Sequence, residues 1–269
     1  MTAVEGTPLI IMLHPWGSTG STTWSAVAAE LTARGYRAAV IDLHGHGTAV
    51  HRAYSWEAAV QTVIDRLDAE RARTMVLVGL SLGAAVAIHV AYAHPDRVAW
   101  LVLAGAAVSW HADRRVSRGL RVAGRVASLL GAAGIWLPLA YVHGYRGAQL
   151  ISAARQLSAA SPRELVRAAD ALASFDASDF DLTGVPVTVM VFTHDRRLPA
   201  GLQRALARHL RADTIDVDGD HDAPVREKYA VAQALELNMV IIAGPRGDSG
   251  VPELSMTRRH ARRCRVSSC

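Results

Sequence analysis

The stretch that most constrains this chain runs from Met75 to Ala93. An apolar segment, Met75–Val78, enters Gly79-Leu80-Ser81-Leu82-Gly83 and continues at once into a helical pattern, Leu82–Ala93. A strand that becomes a helix so abruptly needs glycine where backbone meets backbone, because a Cβ would collide there. The turn also leaves its serine at the end of the strand. Such a serine has two readings: a nucleophile held on a strained turn, or a helix cap whose oxygen accepts a main-chain N–H.

Around this unit, short aliphatic runs alternate with helical patterns, which is the signature of a mostly parallel α/β sheet flanked by helices. The predicted strands are Leu9–Leu13, Ala38–Asp42, Met75–Val78, Val98–Leu103, Val187–Thr193 and Thr214–Val217. The predicted helices are Trp24–Arg34, Trp56–Arg71, Leu82–Ala93, Gly201–Leu210 and Val225–Leu237. Strands that read as unbroken apolar runs fit a sheet covered on both faces.

One connection breaks the rhythm. Leu103 and Val187 are separated by a long segment without a strand signal, and a structureless loop of that length is foreign to a compact domain. We read it as an inserted helical cap, 106–182. Its first helix, about Asp113–Leu130, spaces Arg114, Arg118, Arg121 and Arg125 along one face beside Val116, Leu120, Ala123 and Ala127. The body is then 1–105 and 183–242. Residues 243–269, rich in Gly, Pro, Ser and Arg without periodicity, read as a basic, disordered tail.

Charge follows that division. The chain carries 29 basic and 24 acidic residues, a net of +5, and Lys228 is the only lysine. Residues 246–269 hold six arginines against Asp248 and Glu253, so four of the five net charges belong to the tail. A near-neutral body argues against a specific nucleic-acid binder. The only cysteines, Cys264 and Cys269, lie at the far end, which leaves the body without a disulfide framework, zinc pair or thiol nucleophile. No signal peptide is evident. Val76–Ala93 is broken by the serine turn, and Leu129–Val142 is shorter than the roughly 20 residues of a membrane span. The expectation is a cytoplasmic protein, with peripheral membrane contact through the arginine-rich cap as the lesser alternative.

Several segments, taken in order, resemble the α/β-hydrolase fold superfamily, as a serine hydrolase with a Gly-x-Ser-x-Gly nucleophile elbow. His14-Pro15-Trp16-Gly17 resembles the family's His-Gly oxyanion loop, and Gly20 and Trp24 follow at similar spacing. Asp42-Leu43-His44-Gly45-His46-Gly47 resembles its Asp-x-x-Gly-x-Gly segment, and Tyr92-Ala93-His94-Pro95-Asp96-Arg97-Val98 the link after the nucleophile helix. The resemblance covers about residues 8–237. It implies the chain order Ser, Asp, His, which falls on Ser81, on Asp195 in Thr193-His194-Asp195, and on His221 in Gly219-Asp220-His221-Asp222. It also implies backbone oxyanion donors at Trp16 and Leu82. Pro15 stands where the family has glycine; it has no N–H, but the donor is the residue after it. The family's N-terminal antiparallel strand pair is not evident, since so few residues precede Leu9.

Alternatives remain at the site. His194 adjoins Asp195 and competes for the base, while His209, His111 and His143 sit in a helix or the insert. Asp216, Asp218, Asp220 and Asp222 crowd the histidine loop; one of them could orient His221, or together they could hold a cation without an EF-hand spacing. The resemblance implies that His221 takes the Ser81 proton while Asp195 holds the imidazole, and that Ser81 attacks an acyl carbon. The expected activity is carboxylic-ester hydrolysis of a small-molecule acyl ester, with no cofactor and no metal. Leu129, Leu130, Ile135, Trp136, Leu137, Leu139 and Tyr141 of the cap would shape an acyl pocket or simply pack. A thioesterase, lactonase or perhydrolase with the same residues is the alternative, and a catalytically silent ligand-binding relative another. The sequence leaves the oligomeric state open.

Overall fold

The computed structural model describes residues 8–110, 160–243 and 264–266, together with scattered positions between 118 and 150. Within these, seven strands form one parallel sheet: β1 Leu9–Leu13, β2 Ala38–Ile41, β3 Met75–Leu80, β4 Val98–Ala104, β5 Val187–Phe192, β6 Asp213–Val217 and β7 Cys264–Val266. Their spatial order is β2-β1-β3-β4-β5-β6-β7. Six are the predicted strands, with ends moved by two residues at most. The seventh, paired in parallel with β6 through Ile215↔Cys264 and Val217↔Val266, comes from the segment read as a tail. A strand this short leaves no alternation to detect. The rest of that tail lies outside the described residues.

The helices are α1 Gly20–Ala33, α2 Trp56–Ala69, α3 Leu82–Ala93, α4 Pro162–Ala173, α5 Ala200–Leu210, α6 Ala223–Arg226 and α7 Lys228–Ala243. Two differ from expectation for local reasons. α1 starts at Gly20 rather than Trp24, because the Thr19 side chain accepts from Thr22 N–H and caps the helix ahead of its first apolar residue. The predicted Val225–Leu237 helix is two helices divided at Glu227. The first of them starts with Ala223-Pro224, and proline is well placed in a first turn.

Successive side chains of a strand point to opposite faces, and the core divides accordingly. Leu9, Ile11 and Leu13 of β1 join a cluster with α2, α3, α4 and α5, whereas Ile10 and Met12 join one with α1 and α7. All six residues of β3 are buried. α3 buries 9 of its 12 residues, so its apolar character reflects enclosure between sheet and neighbouring helices. Each fully buried Leu, Ile or Val there contributes roughly 1.5–3 kcal/mol. Among the described residues, no helix is long and apolar enough to cross a membrane.

The chain runs from β1 out to β2, then crosses back to place β3 on the other side of β1. That reversal falls between β1 and β3, and the C-terminal ends of strands at such a point are where open parallel sheets bind ligands. Leu13 pairs with Gly79 and Leu80 with Ala104, so the loop after β1 and Ser81 after β3 leave the sheet side by side. Among the described residues β2 and β7 are the sheet edges; residues 1–7, where a preceding strand pair would fall, lie outside them.

Of the insert, α4 and both chain crossings are described. Trp110 N–H donates to Phe175 C=O, Ala177 N–H donates to Val108 C=O, and Ser109 and Asp176 form an antiparallel bridge. Trp110, Leu165, Leu172 and Phe175 are buried in the body's own core. The expected first helix is described only at positions 118–119, 121–122, 125–126 and 129, all helical; the remainder lies outside. Leu129 and Tyr141 are exposed, which counts against a pocket role for those two. Leu137 is half-buried, and Leu130, Ile135, Trp136 and Leu139 lie outside the described residues.

Candidate active site

Ser81 joins β3 to α3 with φ 56° and ψ −112°, a region that side chains rarely occupy. The packing around it leaves no alternative path. A Cβ on Gly79 would overlap the Gly83 carbonyl, and one on Gly83 would lie 2.5 Å from the Leu13 carbonyl oxygen of β1. Ser81 N–H donates to Ala104 C=O at 3.0 Å, while its own C=O accepts from Ala84 and Ala85. The side chain makes no capping bond to α3, so the simple helix-cap reading does not describe it.

Asp195 and His221, separated by 26 residues, are brought together beyond β5 and β6. His221 Nδ1 lies 2.7 Å from Asp195 Oδ2, and both residues are buried, 6% and 4% exposed. The other carboxylate oxygen, Oδ1, accepts the N–H groups of Arg197 and Leu198, each at 2.9 Å. Two fixed main-chain donors on one oxygen orient the carboxylate, and the second oxygen meets the imidazole, with Gln203 Nε2 donating to it at 3.5 Å. Beneath it, fully buried Gln203 of α5 accepts from Phe192 N–H at 3.0 Å and donates to Leu198 C=O at 2.7 Å. That locks the loop that carries Asp195.

The imidazole rests on Gly105, the residue after β4. A Cβ on Gly105, whose φ is +50°, would come within 2.9 Å of His221 Cε1 and equally close to Leu80 Cδ1. Gly105 therefore lies between the histidine ring and the residue preceding Ser81, and it follows Ala104, whose carbonyl holds Ser81 N–H.

The competing residues are engaged elsewhere. His194 is exposed and pairs with Asp218 at 2.7 Å. Asp216 pairs with Arg204 at 2.7 Å, Asp222 with Arg197 at 2.9 Å, and Asp220 Oδ1 accepts from Asp222 N–H. His209 sits in the last turn of α5; His111 and His143 lie outside the described residues. No group of three or more His, Cys, Asp or Glu side chains among the described residues is arranged to hold a metal ion.

The loop after β1, with His14 and Trp16, is shaped by two histidines that the sequence reading quoted but gave no role. His14 Nε2 accepts Leu43 N–H at 2.9 Å, and His46 Nε2 accepts Gly17 N–H at 3.2 Å. Because a main-chain N–H can only donate, each ring carries its proton on Nδ1, which donates to Pro15 C=O in His14 and to His44 C=O in His46. Burial disfavours the charged form of both. It lowers His14, against the opposing pull of its Pro15 bond and Asp42. Burial, with the adjacent His14, lowers His46 to about 3. Burial works to raise the Asp42 carboxyl, but N–H bonds from Thr48 and Gly20 outweigh it and hold the group below its ordinary value.

Trp16 is buried, and its indole Nε1 donates to Leu165 C=O of α4 at 2.8 Å. Ser161 N–H donates to Gly45 C=O, and Tyr54 N–H to Glu164 Oε2 at 2.7 Å. The start of α4 is thus gripped by the loops that follow β1 and β2. Leu82 is the first residue of α3, one of the positions where a helix leaves main-chain N–H groups without an intrahelical partner.

Comparison with known proteins bears on the family and the fold. The match to the pimeloyl-[acyl-carrier protein] methyl ester esterase of Vibrio vulnificus is 32% identical over 108 residues, and it spans 40% of this chain and 40% of that protein. A protein assigned as a non-heme haloperoxidase in Mycobacterium phage D29 is 26% identical over 257 residues, 89% of this chain and 90% of that one. The solved structure of an esterase from Exiguobacterium antarcticum superposes with a TM-score of 0.75 at 18% identity, covering 87% of this chain and 92% of that one. Residues 10–234 match the model of the family described as "Alpha/beta hydrolase family", and the chain belongs to it.

Proposed function

We propose that the chain is a serine hydrolase that cleaves a carboxylic ester through Ser81, His221 and Asp195, by way of an acyl-enzyme. The observation that carries the reading is the buried Asp195–His221 bond of 2.7 Å at the same end of the sheet as the strained, uncapped Ser81.

A serine hydroxyl is a weak nucleophile until a base removes its proton. His221 has Nδ1 committed to Asp195, so its free Nε2 is the atom that takes the Ser81 proton. Asp195 keeps that tautomer and stabilises the imidazolium that results. Ser81 Oγ then bonds to the acyl carbon, and the carbonyl oxygen becomes an oxyanion that needs donors already in place. The main-chain N–H groups of Leu82 and Trp16 supply them: the first heads α3, the second lies in the loop held by His14 and His46. The imidazolium returns its proton to the departing alkoxide, and water repeats the sequence to release the acid.

Serine at the elbow favours acyl transfer over reactions that need a carboxylate nucleophile there. The likeness to an acyl methyl ester esterase supports an ester substrate, and the likeness to the phage protein favours perhydrolysis by the same acyl-enzyme as a second reading. Rapid mixing with a chromogenic aryl ester tests the proposal. An initial burst of one alcohol per protein, with the acyl group found on Ser81 by mass, supports it; a linear trace with no adduct on any ester or thioester contradicts it.

A further inference from the structure

Asp195 and His221 stand on the separate loops that follow β5 and β6, which meet where His194 N–H donates to Gly219 C=O at 3.0 Å and where His194 pairs with Asp218 at 2.7 Å. A cavity of about 230 Å³ opens between them, with His194 to Arg197 on one side and Asp220 to Asp222 on the other. Around it the main chain and side chains close a ring. Asp195 Oδ2 meets His221 Nδ1 at 2.7 Å. His221 is bonded through its peptide to Asp222, whose two carboxylate oxygens accept from Arg197 Nη1 at 3.2 Å and Nη2 at 2.9 Å. Arg197 N–H returns to Asp195 Oδ1 at 2.9 Å. Arg197 thus holds the acid through its backbone and the base's neighbour through its side chain.

We infer that the Arg197–Asp222 pair is a positioning clamp that sets the approach of His221 to Asp195, an inference that rests on the proposed function. The physical reason is where the Arg197 contacts end: its main-chain N–H on Asp195 and its guanidinium on the neighbour of His221. The spacing of the acid and the base depends on the bonds that join their loops, and this one ends beside both. A two-point guanidinium–carboxylate contact fixes orientation as well as distance, and with side chains 32% and 21% exposed this pair is sheltered from the full screening of a surface ion pair. Asp222 also precedes α6 and takes Val225 and Arg226 N–H on its main-chain oxygen, so the clamp pulls on an anchored loop.

The charges facing His221 across the cavity are Asp195, Asp220, Asp222, Arg196 and Arg197, with His194 beside them. They give a test that separates positioning from simple electrostatics. Removing a cation, Arg197→Met, and removing an anion, Asp222→Asn, change the field at the imidazole in opposite directions. Loosening the Asp195–His221 bond acts in one direction in both. The rate of Ser81 modification by a fluorophosphonate is measured against pH in the wild type, each variant and the double variant, with thermal melts alongside. The clamp predicts a roughly ten-fold or greater slowing in each single variant and a double variant no slower than the slower single. It also predicts an acid limb displaced to lower pH in both singles. Wild-type rates in folded variants, multiplying losses, or limbs moving in opposite directions would overturn it.

A second readout does not depend on activity. The proton on His221 Nδ1 gives a far-downfield NMR signal while the Asp195 bond is short, and both variants should shift and broaden it. If the wild type itself is not labelled, the proposed function fails and this signal alone decides the clamp: an unchanged signal in both variants refutes it. Should Arg197→Met not fold, Arg197→Gln with Asp222→Asn carries the same comparison.

Discussion

The backbone at Ser81 stores strain that can be measured by removing it. At φ 56° and ψ −112° a side-chain-bearing residue costs about 1–3 kcal/mol relative to a relaxed one. Ser81→Ala keeps a Cβ and therefore keeps the strain; Ser81→Gly removes it. Glycine returns about 0.4–1 kcal/mol through the greater entropy of its unfolded chain. The Gly variant should then be more stable than the Ala variant by about 1 kcal/mol, with an upper bound near 2.5 kcal/mol from the same two terms. For a domain of this size that is a rise of roughly 2–4 °C in Tm per kcal/mol. Urea unfolding of the two variants at one pH, with equal m values, measures the difference directly. Both lack the hydroxyl, so loss of activity does not separate them. A Gly variant equal to or less stable than the Ala variant would refute the claim that the turn is strained.

Other perturbations probe the surroundings. Gly105→Ala places a Cβ within 2.9 Å of His221 Cε1; kcat for ester hydrolysis should fall by roughly ten-fold or more, beyond what the accompanying change in melting temperature explains. Gln203→Leu leaves Phe192 N–H and Leu198 C=O without their side-chain partner, and urea unfolding should register a loss of about 1–3 kcal/mol. His46 has a folded value of about 3 against roughly 6.5 when unfolded. Between those values the unfolded chain binds the extra proton, so stability is full above about pH 6.5 and is lost as pH falls toward 3. The unfolding free energy from urea titration should drop steadily over that window, by an amount on the order of a few kcal/mol in total, and His46→Gln should flatten the slope; an unchanged slope would contradict the buried neutral assignment. Trp16→Phe keeps the ring but loses the bond to Leu165 C=O, which should cost about 1 kcal/mol in the same experiment.

The sheet was legible because its central strands are buried on both faces, which leaves continuous apolar runs such as Met75–Leu80. Ser81 stood out in the sequence because it follows such a run directly; Asp195 and His221 were candidates only through the family resemblance, since β6 before His221 alternates polar and apolar residues. What the sequence hid depends on contacts distant along the chain. Gln203 reads as one more polar residue of an amphipathic helix, and only the loop folded over it makes it a buried brace. The roles of His14 and His46 follow from two main-chain donors, Leu43 and Gly17, that no local pattern announces. Arg197 looks like an ordinary loop charge, and Asp222 like one of four aspartates beside His221, until β5 and β6 bring their loops together. β7 is too short to carry a periodicity at all.

The most direct test of the central claim is fluorophosphonate labelling of the whole chain, read by intact mass and peptide mapping, with Ser81→Ala and His221→Ala in parallel. The account predicts a single adduct on Ser81, absent from Ser81→Ala and formed far more slowly in His221→Ala. Folded protein that takes up no label, or an adduct that forms as fast without His221, would contradict it.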